Sequence, residues 1–312
     1  MRKDLNDKYT GCILGAAIGD ALGKQNEGLR RSDIRRRTAD YAGAHAGSPG
    51  EKLRAGQYTD DTEQMIVLAC SIIERGGFDA EDFAIRIAKW GTAALADPVR
   101  KFLVGPSSRA AIVRLSSGVS WRESGSDIPS CGSAMRVAPI GLFYRDMDEV
   151  ESNAALSSLP THNSKGAIAG AVAVAVGVRC ALLDMECGDI IKEICARASK
   201  YDEVLARKIE LSYRRRDEEP NEALAELGTS YLMCETVPSA FYCFSKYFDS
   251  PEKAVIEAVN AGGDTDSIAC ITGALCGARH GIGLFPQRWI EGLENREMIE
   301  RLAEKMLEVS VI

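Results

Sequence analysis

The chain has 312 residues, 46% of them hydrophobic and 27% charged, enough to bury a large core as one big domain or two ordinary ones. A formal net charge of −7 argues against a nucleic-acid partner and against an anionic membrane surface, since both need a basic patch. The ten cysteines contain no Cys-x-x-Cys pair and lie in apolar stretches, so they read as small buried hydrophobes in a reducing, cytoplasmic compartment.

At the N-terminus, Arg2 and Lys3 precede an apolar stretch from Gly11 to Gly19, but Asp4, Asp7 and Asp20 flank it and three glycines interrupt it, which speaks against a secretory signal. Gly11, Gly15, Gly19 and Gly23 recur every four residues and share one helix face, where a second backbone could pack closely. Asp20 ends that stripe and could anchor a site or make a simple helix-end hydrogen bond. Arg30-Arg31-Ser32-Asp33-Ile34-Arg35-Arg36-Arg37 is a candidate basic patch; without interleaved aromatic residues it reads as a solvated loop or helix face. Thr59 can cap a helix carrying Met65, Leu68, Ala69 and Ile72, ending near Gly76-Gly77, and Asp79 can cap the next, with Phe83, Ile87 and Trp90 as its stripe.

Further helices are expected over residues 107–115, 134–144, 148–159, 163–183, 189–199, 222–227, 238–247, 251–260, 267–281 and 296–309. Residues 171–176 alternate Ala and Val with a strand's period, yet they lie in a proline-free stretch of about 20 residues, too long for a strand of ~5–6, so a helix is expected. The apolar run 166–178 is too short to span a bilayer. Arg214-Arg215-Arg216-Asp217-Glu218-Glu219-Pro220 is the best boundary signal, but a surface loop explains it equally. The expectation is all-α, one compact many-helix domain over residues 1–312.

Two acidic turns stand out. Tyr58-Thr59-Asp60-Asp61-Thr62-Glu63 and Asn260-Ala261-Gly262-Gly263-Asp264-Thr265-Asp266-Ser267 each precede an apolar helix. Capping alone would explain a single acidic residue at either place. Both clusters exceed that need, and two glycines let the backbone of the second approach closely. If the turns met, four carboxylates would repel unless protonated or bridged by cations. The all-oxygen donor set, with no His nearby in sequence, suits hard ions such as Mg²⁺, with Mn²⁺ as a substitute.

Four segments in order give the chain a resemblance to the ADP-ribosylglycohydrolase family: Gly11-Cys12-Ile13-Leu14-Gly15-Ala16-Ala17-Ile18-Gly19-Asp20-Ala21-Leu22-Gly23, Thr59-Asp60-Asp61-Thr62, Ala134-Met135-Arg136-Val137-Ala138-Pro139 and Gly262-Gly263-Asp264-Thr265-Asp266-Ser267. The resemblance implies a helical bundle with a binuclear metal cleft holding two Mg²⁺. It also implies cleavage of the glycosidic bond between ADP-ribose and an acceptor, either a modified protein side chain or a small molecule. The family's metal ligands map onto Thr59, Asp60, Asp61, Asp264, Asp266 and Ser267; the last position is usually threonine, and serine keeps the hydroxyl. A family glutamate on a flap over the substrate maps onto Glu27, which joins Asp61, Asp264 and Asp266 as the expected catalytic set.

Substrate contacts are expected from Gly105, Ser107, Gly132, Ser133, Met135, Arg136 and His162. Phosphate favours backbone N–H groups at helix N-termini. By themselves the segments 105–109 and 130–136 read as ordinary loop-to-helix entries, and His162 as readily as a capping or core histidine; the resemblance points to ligand contact. Where the family commonly has Gly-Asn-Gly, this chain has Ser130-Cys131-Gly132, which bears on the pyrophosphate contacts. The alternatives are a non-catalytic binding homologue and a two-metal nucleotide phosphohydrolase.

Overall fold

A computed structural model describes residues 2–34 and 37–310. Among them lie fifteen α-helices and no strand, only two isolated bridges, Ser126 with His162 and Ser130 with Leu232. The helices are α1 (Arg2–Gly23), α2 (Asp60–Arg75), α3 (Ala80–Ala96), α4 (Pro106–Ser116), α5 (Ala138–Phe143), α6 (Met147–Ser158), α7 (Lys165–Leu182), α8 (Cys187–Ala198), α9 (Glu203–Arg214), α10 (Pro220–Leu227), α11 (Met233–Lys246), α12 (Pro251–Val259), α13 (Thr265–His280), α14 (Gln287–Gly292) and α15 (Arg296–Ser310). Side chains of Thr59, Asp79, Asp146, Ser164 and Asp202 accept first-turn N–H groups and start five of these helices.

The glycine stripe of α1 decides how the centre is built. A Cβ at Gly15 would lie 2.4 Å from the Gly273 carbonyl oxygen, and one at Gly19 would lie 2.0 Å from that of Ala269. Gly11 meets Gly277 and Gly23 meets Thr265 in the same way. As α1 advances four residues its partner recedes four, so α1 and α13 run antiparallel with their backbones in contact. The C-terminal end of α1 therefore lies beside the N-terminal turn of α13, close enough for the Asp20 charge to act on Asp266.

Around this pair, α7 forms a central post. Its length and composition would let it cross a membrane, but 78% of its residues are buried within the protein. Burial, rather than the shortness expected of residues 166–178, marks it as a core helix, and the alternating Ala-Val run is helical throughout. The helix expected over 134–144 is interrupted: Cys131–Ser133 is a single 3₁₀ turn and α5 begins only at Ala138, with Pro139 in its first turn. Proline also misled at α11. Pro238 sits inside that helix, which starts five residues earlier than expected. Two helices had no counterpart in the sequence reading, the six-residue α14 and α9. The latter buries Leu205, Ala206, Ile209 and Ser212 on one face.

The chain between α1 and α2 is long and largely irregular, yet pinned down. Buried Lys24 donates to the carbonyls of Arg54 and Gln57, and the Asn26 amide donates to the Val259 carbonyl at 2.9 Å. Arg31 and Arg37 both pair with buried Glu257. The basic run is thus partly spent clamping this loop to α12; Arg35 and Arg36 lie outside the described residues.

Candidate active site

Asp20 is fully buried, and its carboxylate accepts from the backbone N–H of Thr59 and of Thr62, each at 3.0 Å, and from Thr62 Oγ1 at 2.6 Å. These bonds fasten the first turn of α2 to α1. The cap of α2 is Thr59, whose Oγ1 accepts from the Asp61 N–H at 3.3 Å, so the carboxylates of Asp60 and Asp61 are left for other work. At α13, Asp264 occupies the capping position without using its side chain there. Its Oδ2 accepts instead from Thr236 Oγ1 and Cys131 Sγ, each at 3.0 Å.

Gly262 and Gly263 hold φ of +82° and +71°, a region costly for any side chain. That conformation lets the Gly263 N–H donate to the Leu29 carbonyl at 2.7 Å while the Gly28 N–H donates back to Gly263 at 2.8 Å. The loop carrying Glu27 is thereby stitched to the Asp264 turn.

Glu27, Thr59, Asp60, Asp61, Asp264, Asp266 and Ser267 all line one cleft of about 1130 Å³. Burial, reinforced by Asp20, pushes the Asp60 and Asp61 carboxyls well above the usual carboxylate range; burial and the charges of Glu27 and Asp61 do the same to Asp266. Glu27 is raised to about 8, by burial first and then by Asp264 and Asp20. Asp61 Oδ2 is buried with no hydrogen-bond partner. Crowded, desolvated carboxylates with an orphaned oxygen and adjacent hydroxyls fit a hard divalent cation. No three His, Cys, Asp or Glu side chains among the described residues are drawn up as a ready-made cage, so what converges is two turns facing one cleft rather than ligands closed on a point.

Opposite the acidic end lies the N-terminus of α4, where Gly105, Pro106, Ser107, Ser108 and Arg109 face the cleft. Between the two ends run Ser130, Cys131, Gly132, Met135 and His162. A Cβ at Gly132 would sit 2.6 Å from His162 Cε1, so glycine there is what lets the imidazole close in. Exposed Phe102, Val113, Ile128 and Tyr231 form an apolar rim.

A sequence model for ADP-ribosylglycohydrolase matches residues 1–311. The chain belongs to the ADP-ribosylglycohydrolase family. It is 44% identical to an uncharacterized protein of Archaeoglobus fulgidus, covering 98% of this chain and 97% of that one. Similarity to the Homo sapiens ADP-ribosylhydrolase ARH3 is 29% identity over 96% and 92% of the two chains; to the Serratia proteamaculans ADP-ribosylarginine hydrolase Tri1 it is 27% over 96% and 79%. A solved structure titled as an ADP-ribosylglycohydrolase-related protein complex superimposes with a TM-score of 0.83 at 28% identity over 99% of each chain. As a family member the protein is a glycosidic-bond hydrolase.

Set in an ADP-ribosylglycohydrolase, the six expected metal ligands and Glu27 all border the cleft, as do Gly105, Ser107, Gly132, Met135 and His162. Ser133 and Arg136 do not. Ser133 Oγ turns inward to the Ala167 carbonyl at 3.0 Å, because the 3₁₀ turn, with three residues per turn, rotates its side chain away from the cleft. Arg136 is fully buried and bonds Gln64, Thr161 and the Ser157 carbonyl. Its guanidinium is lowered by burial to about 9, so it stays charged at neutral pH.

Gln64 and Thr236 were not foreseen as members of the site. Gln64 Nε2 donates to Asp60 Oδ2 at 2.8 Å, a contact the four-residue spacing on a helix could have signalled. Thr236 reaches Asp264 only through the packing of α11 on α13. Cys131 is a buried thiol as expected; it packs with the apolar core and also borders the cleft beside Asp264.

Proposed function

We propose that the protein is a magnesium-dependent hydrolase that releases ADP-ribose from a modified protein side chain or small molecule. The observation that carries this reading is the meeting of the two acidic turns in one cleft, with Asp61 Oδ2 left without a partner. Thr59, Asp60, Asp61, Asp264, Asp266 and Ser267 would hold two Mg²⁺, with Mn²⁺ as a substitute. When bound, such ions offset the carboxylate charges, polarise ribose hydroxyls and lower the pKa of a nearby water.

Hydrolysis of a ribosyl bond needs an oxocarbenium-like transition state stabilised and a water delivered to the anomeric carbon. Asp264 or Asp266 accepts the proton that this water loses. Glu27, carried on the stitched loop and holding its proton up to about 8, donates to the departing acceptor. The α4 N-terminus offers backbone N–H groups for phosphate, and the apolar rim gives adenine a surface to lie against. Ten unbridged cysteines support a cytoplasmic setting.

The test is incubation with Mg²⁺ and a panel of substrates ADP-ribosylated on arginine, on serine, on a nucleic-acid end and on a small metabolite. Release of free ADP-ribose from one of them is expected, together with its loss in EDTA. AMP plus ribose phosphate as products would overturn the glycosidic reading.

A further inference from the structure

A continuous chain of buried hydrogen bonds joins the two ends of the cleft. Arg136 stands at its centre, with Nη1 donating to Gln64 Oε1 at 2.6 Å and Gln64 in turn donating to Asp60. On its other side Arg136 Nη2 donates to Thr161 Oγ1 at 2.6 Å, Thr161 Oγ1 lies 2.8 Å from His162 Nδ1, and His162 Nε2 lies 3.1 Å from Ser130 Oγ. Ser130 Oγ donates to Ser107 Oγ at 2.9 Å.

We propose that Arg136 and His162 are positioning residues that fix the direction of this chain and so present the Ser107 hydroxyl proton to a phosphate oxygen of the substrate. The proposal rests on the reading that the substrate carries ADP-ribose.

The direction follows from proton counting. Ser130 has one hydroxyl proton, spent on Ser107, so toward His162 it accepts and Nε2 must carry the hydrogen. Burial and the neighbouring Arg136 hold the imidazole neutral, with its pKa down at about 3. A neutral ring protonated at Nε2 has a bare Nδ1, which therefore accepts from the Thr161 hydroxyl. Arg136 can only donate, which leaves Thr161 free to spend its single proton on His162. Every link agrees, and the free end of the chain is the proton of Ser107.

Ser107 is nine-tenths buried, borders the cleft and is the second residue of α4, an eleven-residue helix. Gly105 gives that helix no side-chain cap, and the N–H groups of Ser107 and Ser108 belong to the first turn, which finds no acceptor within the helix. A phosphate oxygen there meets a hydroxyl proton and two amide protons at the positive end of a helix. With the opposite imidazole tautomer the chain would reverse and Ser107 would turn a lone pair toward the phosphate. The relay therefore decides the sign of the contact.

The test joins ¹⁵N NMR of histidine-labelled protein to calorimetric titration with ADP-ribose. His162, assigned by its loss in H162Q, is expected as the neutral Nε2–H tautomer throughout the neutral range; an Nδ1–H tautomer overturns the relay. Ser107→Ala and Thr161→Val should each weaken ADP-ribose binding about tenfold, and the double variant no more than Ser107→Ala alone. Wild-type affinity in S107A, or additive losses in the double variant, overturns the proposal. Should T161V not fold, the tautomer of the wild type still decides. If the wild type binds inorganic pyrophosphate but not ADP-ribose, the substrate reading falls, and the same variants are compared with pyrophosphate as the probe.

Discussion

Asp60 and Asp61 are neighbours in sequence with different surroundings, for Asp60 accepts from Gln64 while Asp61 keeps one buried oxygen without a partner. An Asp61→Asn substitution keeps the shape and removes one of several repelling charges. In EDTA it should therefore raise the melting temperature, yet abolish the stabilisation that Mg²⁺ confers on the wild type; an unchanged Mg²⁺ response would refute the ligand assignment. Glu27 asks a different question. Glu27→Gln keeps the hydrogen-bonding size but cannot cycle a proton, so kcat should fall by about 10²–10⁴ with ADP-ribose affinity nearly intact. Steady-state kinetics alongside calorimetry separates that outcome from a binding defect.

Among the elements, the α1–α13 contact matters most, because it places Asp20, the Glu27 loop and the Asp264 turn together. Gly19→Ala would push a methyl to 2.0 Å from the Ala269 carbonyl oxygen, a backbone atom that cannot swing away. A loss of about 3 kcal/mol in urea unfolding is expected, along with weaker Mg²⁺ binding as α1 shifts. Gly43 is the control: nothing lies within 4 Å of its Cβ position, so Gly43→Ala should be neutral or stabilise by up to about 1 kcal/mol. Equal effects at the two glycines would refute the close-packing account. Helix starts were legible where a capping side chain was recognised, as at Thr59 and Asp79, because that signal is local. They were misjudged at Pro238 and before Pro139, where the packing of α11 and the 3₁₀ turn at Cys131 set the boundary.

For the molecule as a whole, the clustered carboxyls make stability depend on pH and on metal together. Glu27 holds its proton up to about 8 in the folded protein against an ordinary value of 4.5, so between those values the folded state binds more protons than the unfolded one. Stability without metal should accordingly fall as pH rises from about 4.5 to about 8, and Mg²⁺ should restore most of it at the upper end. Melting curves across that range, with EDTA and with Mg²⁺, check this; a metal-free stability that climbs with pH would contradict the charge crowding. The sequence by itself determined the helical class, the close-packing glycine stripe and the two acidic turns, because each is written in short-range spacing, and four of its segments carried the resemblance to the family. Only the tertiary structure decided that turns some 200 residues apart share a cleft, that Asp20 fastens one of them, that Ser133 and Arg136 face inward, and that a relay links Asp60 to Ser107. Those facts depend on which faces of distant helices meet, and no local pattern encodes that.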